Sequence, residues 1–398
     1  MGLGIFVSTL AQTGVVGRLP LEFLLKNRLH VAPELLAGFF ALAALPWNFK
    51  PLAGLLSDST PIFGTRRKHY LLLGAVAAAV LWWMQGTALQ TFSILVAAAI
   101  ALNVALMIIS TATGGVLVEA GKEYRATGRL TSLRFVVMNV ATLIAGPLGG
   151  LLAVQAFGVT SMTAAVLCLS LAPATLWLLD EPPIARRQVG VWTSARAELH
   201  KILRSGTVWS AAGMLLLVQL APGFATPLFY YQTDSLRFTP GFIGELALAS
   251  SCCGIVAALM YARVCKQLTL RTLLILAIAA NVVSTMFYLD YHSRASALTI
   301  ESLAGFVGTL AQLPLFDLAI RATPQGSEAF GYSLMMSVWN LGMSLSDVLG
   351  SWLFAHYHLN FMNLVWLNAG TTALALFAIP FLPASIIQPR EEDRLPAA

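Results

Sequence analysis

From Ile5 to Phe381 the sequence is a succession of apolar stretches of membrane-crossing length, parted by short polar connections. A bilayer core of about 30 Å is crossed by roughly 20 residues in helical conformation, because lipid offers the backbone no partner and the helix satisfies it internally. Twelve stretches meet that ruler: 4–26, 32–57, 69–87, 91–118, 129–155, 159–179, 207–232, 240–262, 269–289, 296–320, 328–354 and 360–383, numbered here as spans 1 to 12. Span 1 is the most interrupted, by Arg18, Pro20 and Glu22. The chain is 58% apolar and 11% charged, whereas an ordinary soluble domain is about a quarter charged because those residues coat its surface. The expected fold class is therefore all-α and integral to the membrane. The first stretch has no basic flank and no small-residue cleavage pattern, and is read as a helix of the mature protein.

Lys and Arg in short loops are retained on the cytoplasmic side. Seventeen of them fall in the even-to-odd connections and the tail, against Lys26, Arg28, Arg237 and Arg294 on the opposite face. Both termini are thus expected in the cytoplasm, and the net charge of +6 follows from topology without a nucleic-acid partner. The one long polar connection falls after span 6. It divides the chain into a six-helix bundle at 1–180, a cytoplasmic linker at 181–206, a second bundle at 207–383 and a tail at 384–398. Two such halves resemble the major facilitator superfamily, whose halves rock about a midplane site.

Ionisable groups inside a bilayer are costly, by about 2.5 to 3.5 kcal/mol on insertion scales, and so face a cavity or a partner. Lys50 precedes Asp58 by eight residues, which sets it roughly 12 Å in from the cytoplasmic end of span 2. That is the strongest candidate for contact with a solute. Arg134 in span 5 either grips a carboxylate with two parallel bonds or snorkels to the interface. Arg18 with Glu22, and Asp317 with Arg321, are four apart and read as local pairs. Asp347, deep in span 11, has no basic residue within one turn and must find a tertiary partner, water or a proton. Glu245 begins span 8. Together Asp347 and Glu245 are the candidate proton-coupling carboxyls. Trp47 and Tyr230 are candidates to stack on a planar ring, and Gln219, Gln312 and Asn340 to offer amides to a ligand.

The string PWNFKPLAGLLSDSTPIFGTRRKHY, Pro46 to Tyr70, carries the most identity. Gly54, Asp58, Gly64, Arg66 and Arg67 are an extended form of the facilitator motif between spans 2 and 3. Lys50–Pro51, Ser57–Asp58, Pro61, Arg66–Arg67 and Tyr70 resemble the signature of the folate–biopterin transporter family. The resemblance continues at Val118–Glu119, through Pro222, Phe224, Phe229 and Tyr230, and again at Pro314, Pro324, Gly326, Glu328, Asn340 and Gly342. It implies a monomeric secondary transporter that moves a folate- or pterin-like aromatic anion by alternating access, coupled to a proton. Asp58, Arg66, Arg67, Glu119 and Glu328 would be its gating residues.

Other classes find less support. Cys168, Cys252, Cys253 and Cys265 have no metal-ligand spacing, and the histidines lie at helix ends or in loops. No Gly-rich phosphate loop or His–carboxylate cluster is present, so neither an enzyme, a cofactor nor a resident metal is expected. The remaining alternatives are a facilitator for a drug, lipid or tetrapyrrole-like compound, and a non-transporting membrane scaffold. A scaffold would gain by replacing Lys50 and Asp347 with leucine.

Overall fold

The computed structural model describes residues 1–65, 67–87, 90–123, 127–181, 191–323, 328–357 and 359–388, and it is helical almost throughout. Among them, nine helices are long and apolar enough to cross a bilayer: Pro33–Gly54, Lys68–Thr87, Phe92–Leu117, Val136–Ala153, Phe157–Leu178, Pro240–Cys265, Leu270–Asp290, Arg294–Ala322 and Phe361–Phe381. These are spans 2–6, 8–10 and 12. Span 11 is the 29-residue helix Glu328–His356.

Spans 1 and 7 are broken rather than continuous, and the backbone breaks in the same way twice. Span 1 runs as a helix over Gly2–Leu10, turns, resumes at Arg18–Phe23 and ends in a π turn over Leu24–Arg28. Span 7 runs over Gly206–Gln219, opens, resumes at Ala225–Tyr230 and ends in a π turn over Tyr231–Ser235. His30 and Arg237 follow the π turns with φ of 50° and 53°, a left-handed conformation uncommon outside glycine. The next helices start at Pro33 and Pro240. Arg18 and Ala225, Leu24 and Tyr231, His30 and Arg237, Pro33 and Pro240 are each 207 residues apart. An internal repeat too faint to read in side chains is plain in the backbone.

Contacts divide the chain into two compact units. The first comprises Met1–Val31, Gly38–Arg196 and Pro240–Glu245; the second comprises Ala32–Ala37, Ala197–Thr239 and Leu246–Ala398. Lipid is as apolar as leucine, so helices in a membrane associate through close packing and internal hydrogen bonds. In the first unit Gly74 lies so close to span 4 that an added Cβ would come within 2.7 Å of Ile109. Trp82 is fully buried there, and its indole N–H donates at 2.9 Å to the Ala11 carbonyl left open by the turn in span 1. In the second unit Leu215, Leu274, Leu318 and Trp339 belong to one apolar core, joined by Ile202 from the helix Val191–Leu203. Trp177, Phe377 and Phe381 point outward, at 84%, 75% and 85% exposure, as lipid-facing side chains do.

Candidate functional site

Span 2 is also interrupted, and the interruption positions the first unit's polar chemistry. The helix Pro33–Ala44 gives way to a 3-10 turn over Leu45–Phe49, and a new helix starts at Lys50–Ser59. Pro46 and Pro51 each stand in the first turn of their element, where the missing N–H costs nothing and the fixed φ suits the helix. Trp47 and Lys50 lie on either side of this restart. The Lys50 ammonium donates to Ser110 Oγ of span 4 at 2.9 Å and lies 5.5 Å from the centroid of the Trp47 ring. The indole face attracts the cation through its quadrupole. Lys50 is partly exposed, and its hydroxyl and ring partners are both uncharged.

The Trp47 indole donates to Asn103 Oδ1 at 2.9 Å. The Asn103 amide donates in turn to Thr13 Oγ1 at 2.8 Å and to the Ala99 carbonyl at 2.9 Å. One amide on span 4 therefore ties the break in span 2 to the turn in span 1. Arg134 approaches from span 5, and its charge bears on Lys50. Its Nη1 lies 3.9 Å from where a Cβ on Gly114 would be, an ordinary contact distance that sets the guanidinium beside span 4. Two cations that repel each other are both eased by an anion near them.

In the second unit the opened backbone of span 7 is held by backbone and side-chain groups of spans 11 and 12. The Gly223 N–H donates to the Ser346 carbonyl at 2.9 Å, Ser346 Oγ to the Ala221 carbonyl at 2.5 Å, and Asn368 Nδ2 to the Pro222 carbonyl at 2.9 Å. Asp347 then caps the restarted helix, accepting from the Thr226 N–H at 2.9 Å and the Thr226 hydroxyl at 2.7 Å. The tertiary partner that its isolation required is Thr226. Arg18 and Glu22 do form a pair, at 2.9 Å, as do Arg321 and Asp317, at 2.7 Å.

The other candidates lie as follows. Glu245 is exposed near the start of its helix; Gln219, Tyr230, Gln312 and Asn340 are all half-buried. Gln219 packs on Gly342, where a Cβ would come within 2.8 Å of its own, and Tyr230 meets Phe229 edge-on at 5.8 Å. Of the gating residues, Arg67 is buried and donates through Nη1 to Ser57 Oγ at 2.6 Å. Arg66 and the side chains of Asp58, Glu119 and Glu328 lie outside the described residues. Sequence reasoning passed over Glu181, whose carboxylate accepts from the Arg67 and Lys68 backbone N–H groups at 2.7 to 3.1 Å. A carboxylate there complements the positive end of the helix that begins at Lys68. Asn103 and Ser110 were missed as well, although their spacing of seven sets them two turns apart on one helical face. Also missed was a chain from Gln232 through Tyr291 to Glu301, whose signal was an acid within apolar span 10.

The model of the BT1 family matches residues 13–394. The chain is similar to the folate-biopterin transporter of Synechocystis, with 28% identity over 93% of this chain and 78% of that protein. It is similar also to folate transporter 1 of Plasmodium falciparum, with 22% identity over 95% and 78%. Among solved structures, the nucleoside transporter NupG superposes with a TM-score of 0.74 at 15% identity, covering 96% of this chain and 98% of that one. The D-xylose-proton symporter does so with a TM-score of 0.68 at 14% identity, covering 96% and 95%. These likenesses show the fold, that of the major facilitator superfamily.

Proposed function

The chain belongs to the BT1 family and is a multi-pass membrane transporter; from that premise we propose that it moves a folate- or pterin-like aromatic anion by alternating access, coupled to a proton. The observation that carries the substrate class is the pairing of Lys50 with Arg134 beside the Trp47 ring. A folate offers carboxylates to the cations and a flat ring to aromatic faces, so one solute meets both demands. Ser110 positions the ammonium and Asn103 positions the indole. Tyr230, Gln219, Gln312 and Asn340 are the second unit's proposed contributors to ring recognition. Asp58, Arg66, Arg67, Glu119 and Glu328 are proposed to gate. The same reading puts both termini in the cytoplasm, in a monomer.

The coupling carboxyl is proposed to be in the second half, where Asp347 and Glu245 were the first candidates. Asp347 already serves the restarted helix of span 7, and Glu245 stands exposed at a helix start.

Binding to the native state stabilises it by mass action, by about 2.7 kcal/mol at a hundredfold excess over Kd, and so raises its melting point. Thermal unfolding of the purified protein with folate, biopterin, nicotinate or nucleoside monophosphate tests the reading. Stabilisation by folate or biopterin but not by the other anions supports it; equal response to every anion, or to none, contradicts it.

A further inference from the structure

The second unit holds a polar chain that neither broken helix needs for its own backbone. Gln232 Nε2 donates to the Tyr291 hydroxyl at 2.6 Å, and that hydroxyl donates to Glu301 Oε1 at 3.3 Å. Tyr288 stacks on Tyr291 with centroids 5.5 Å apart, and its phenol also bears on Glu301. Phe224 and Phe361 close over Tyr288, at 5.1 and 6.4 Å. Gln232 and Tyr291 are 5% and 0% exposed, while Glu301 is partly open. The chain thus starts at two buried side chains and ends on an acid that is partly exposed.

Its direction is fixed by chemistry. An amide nitrogen only donates, so the phenol oxygen must accept from Gln232 and its one hydrogen must go to Glu301. Burial, helped by the carboxylate's charge, raises the Tyr291 phenol above its ordinary range, so it remains a neutral donor. The groups facing Glu301 are phenols: Tyr291 and Tyr288, with Tyr231 acting on Tyr291 from span 7. Asp290 and His292 in the adjoining loop face each other at 3.2 Å, and Arg294 opens the helix two turns before Glu301. Among the described residues, no cation lies within salt-bridge distance of Glu301.

The repeat argues that the fold does not require this polarity. Gln232 is the second residue of the π turn Tyr231–Ser235; the second residue of Leu24–Arg28 is Leu25, which is fully buried. The same turn is built with leucine in the first half. A buried amide is worth its desolvation only where it is hydrogen-bonded, and here its partner is a tyrosine committed to an acid.

We infer that Glu301 takes up and releases the coupling proton, and that Tyr291 and Gln232 report its charge to the π turn of span 7. Uptake joins one proton from water to one carboxylate oxygen, giving a neutral carboxyl, and release returns the proton to water. Tyr291 then loses an ionised acceptor for a neutral one, and charge-assisted bonds are about twice as strong as neutral ones. The hold on Gln232 weakens beside the break that Asp347 pins. The inference rests on the transporter reading and names its proton site.

Proteoliposomes loaded with folate and given tritiated folate outside, with and without a pH gradient, separate the two ideas. Glu301→Gln, which mimics the neutral acid, is expected to keep counterflow while gradient-driven accumulation falls by about tenfold or more. Tyr291→Phe, a positioning change, is expected to shift the pH of half-maximal uptake. Gradient-driven uptake by Glu301→Gln at the wild-type level would overturn the inference, as would equal loss of counterflow in a variant that melts like wild type. If the wild type shows no counterflow, the folate reading fails instead. Glu301 is then judged by infrared difference spectra of the purified protein between acid and alkaline pH. A protonated-carboxyl band present in wild type and missing from Glu301→Gln supports it; coincident spectra refute it.

Discussion

Lys50 reaches a hydroxyl and an indole face, neither of which carries a charge. Hydrogen bonds to charged groups contribute about 1.5 to 3 kcal/mol net, and each 1.4 kcal/mol is about tenfold in affinity. Lys50→Ala should therefore weaken folate binding by about ten- to hundredfold, read from the ligand concentration needed to raise the melting temperature. Ser110→Ala keeps the ammonium and removes only its support, so a loss of under about tenfold is expected by the same measurement. Trp47→Phe keeps a ring but leaves Asn103 Oδ1 without its donor, which should cost about 1 to 3 kcal/mol of stability in the absence of ligand. At Asp347 two donors meet one carboxylate. Asparagine offers a single acceptor oxygen, so Asp347→Asn should lower the melting temperature by the equivalent of about 1 to 3 kcal/mol. If instead Asp347→Asn melted like wild type, its role as a cap would be wrong.

Broken helices are the elements through which this chain gathers polar groups in an apolar medium. The turn in span 1 exposes Ala11 O to Trp82, and the opening in span 7 exposes Ala221 O and Pro222 O to Ser346 and Asn368. Within the bilayer each such group must be satisfied by protein. Gly350 shows how tightly span 11 lies against the opening in span 7: a Cβ there would collide with the Gly223 backbone. Overpacking of this kind costs about 1 to 3 kcal/mol, so Gly350→Ala should destabilise, whereas Gly370→Ala, with open space at its Cβ, should not. Parallel melting of the two variants decides. The sequence made spans 1 to 12 legible because the apolar period and the lipid ruler are local. It marked Arg18, Pro20 and Glu22 as interrupting span 1, yet it read span 2 as continuous. Proline alone did not reveal the break at Leu45–Phe49, since proline also begins helices, and the π turns have no compositional mark in LLKNR and YQTDS. Lys50, Trp47 and Arg134 were legible because charge and aromatics stand out in apolar helices. Their partners Ser110, Asn103 and Thr226 were not, because an isolated hydroxyl or amide in a helix becomes chemistry only when distant helices meet.

The whole molecule is a transporter of the BT1 family with the major facilitator fold, and it carries a net charge of +6. If the basic connections face the cytoplasm, a cysteine introduced at Arg196 should be protected from impermeant maleimide in right-side-out vesicles, and one at His292 should react. The reverse pattern would invert the topology. Lys50 and its surroundings are proposed to receive an anionic, folate-like solute on its way across the membrane. The most direct measurement is counterflow of tritiated folate into folate-loaded proteoliposomes by wild type and Lys50→Ala at equal protein density. Saturable counterflow by wild type is expected, with a rise in half-saturating folate of about tenfold or more in Lys50→Ala. Identical counterflow by the two, or none by correctly folded wild type, would contradict it.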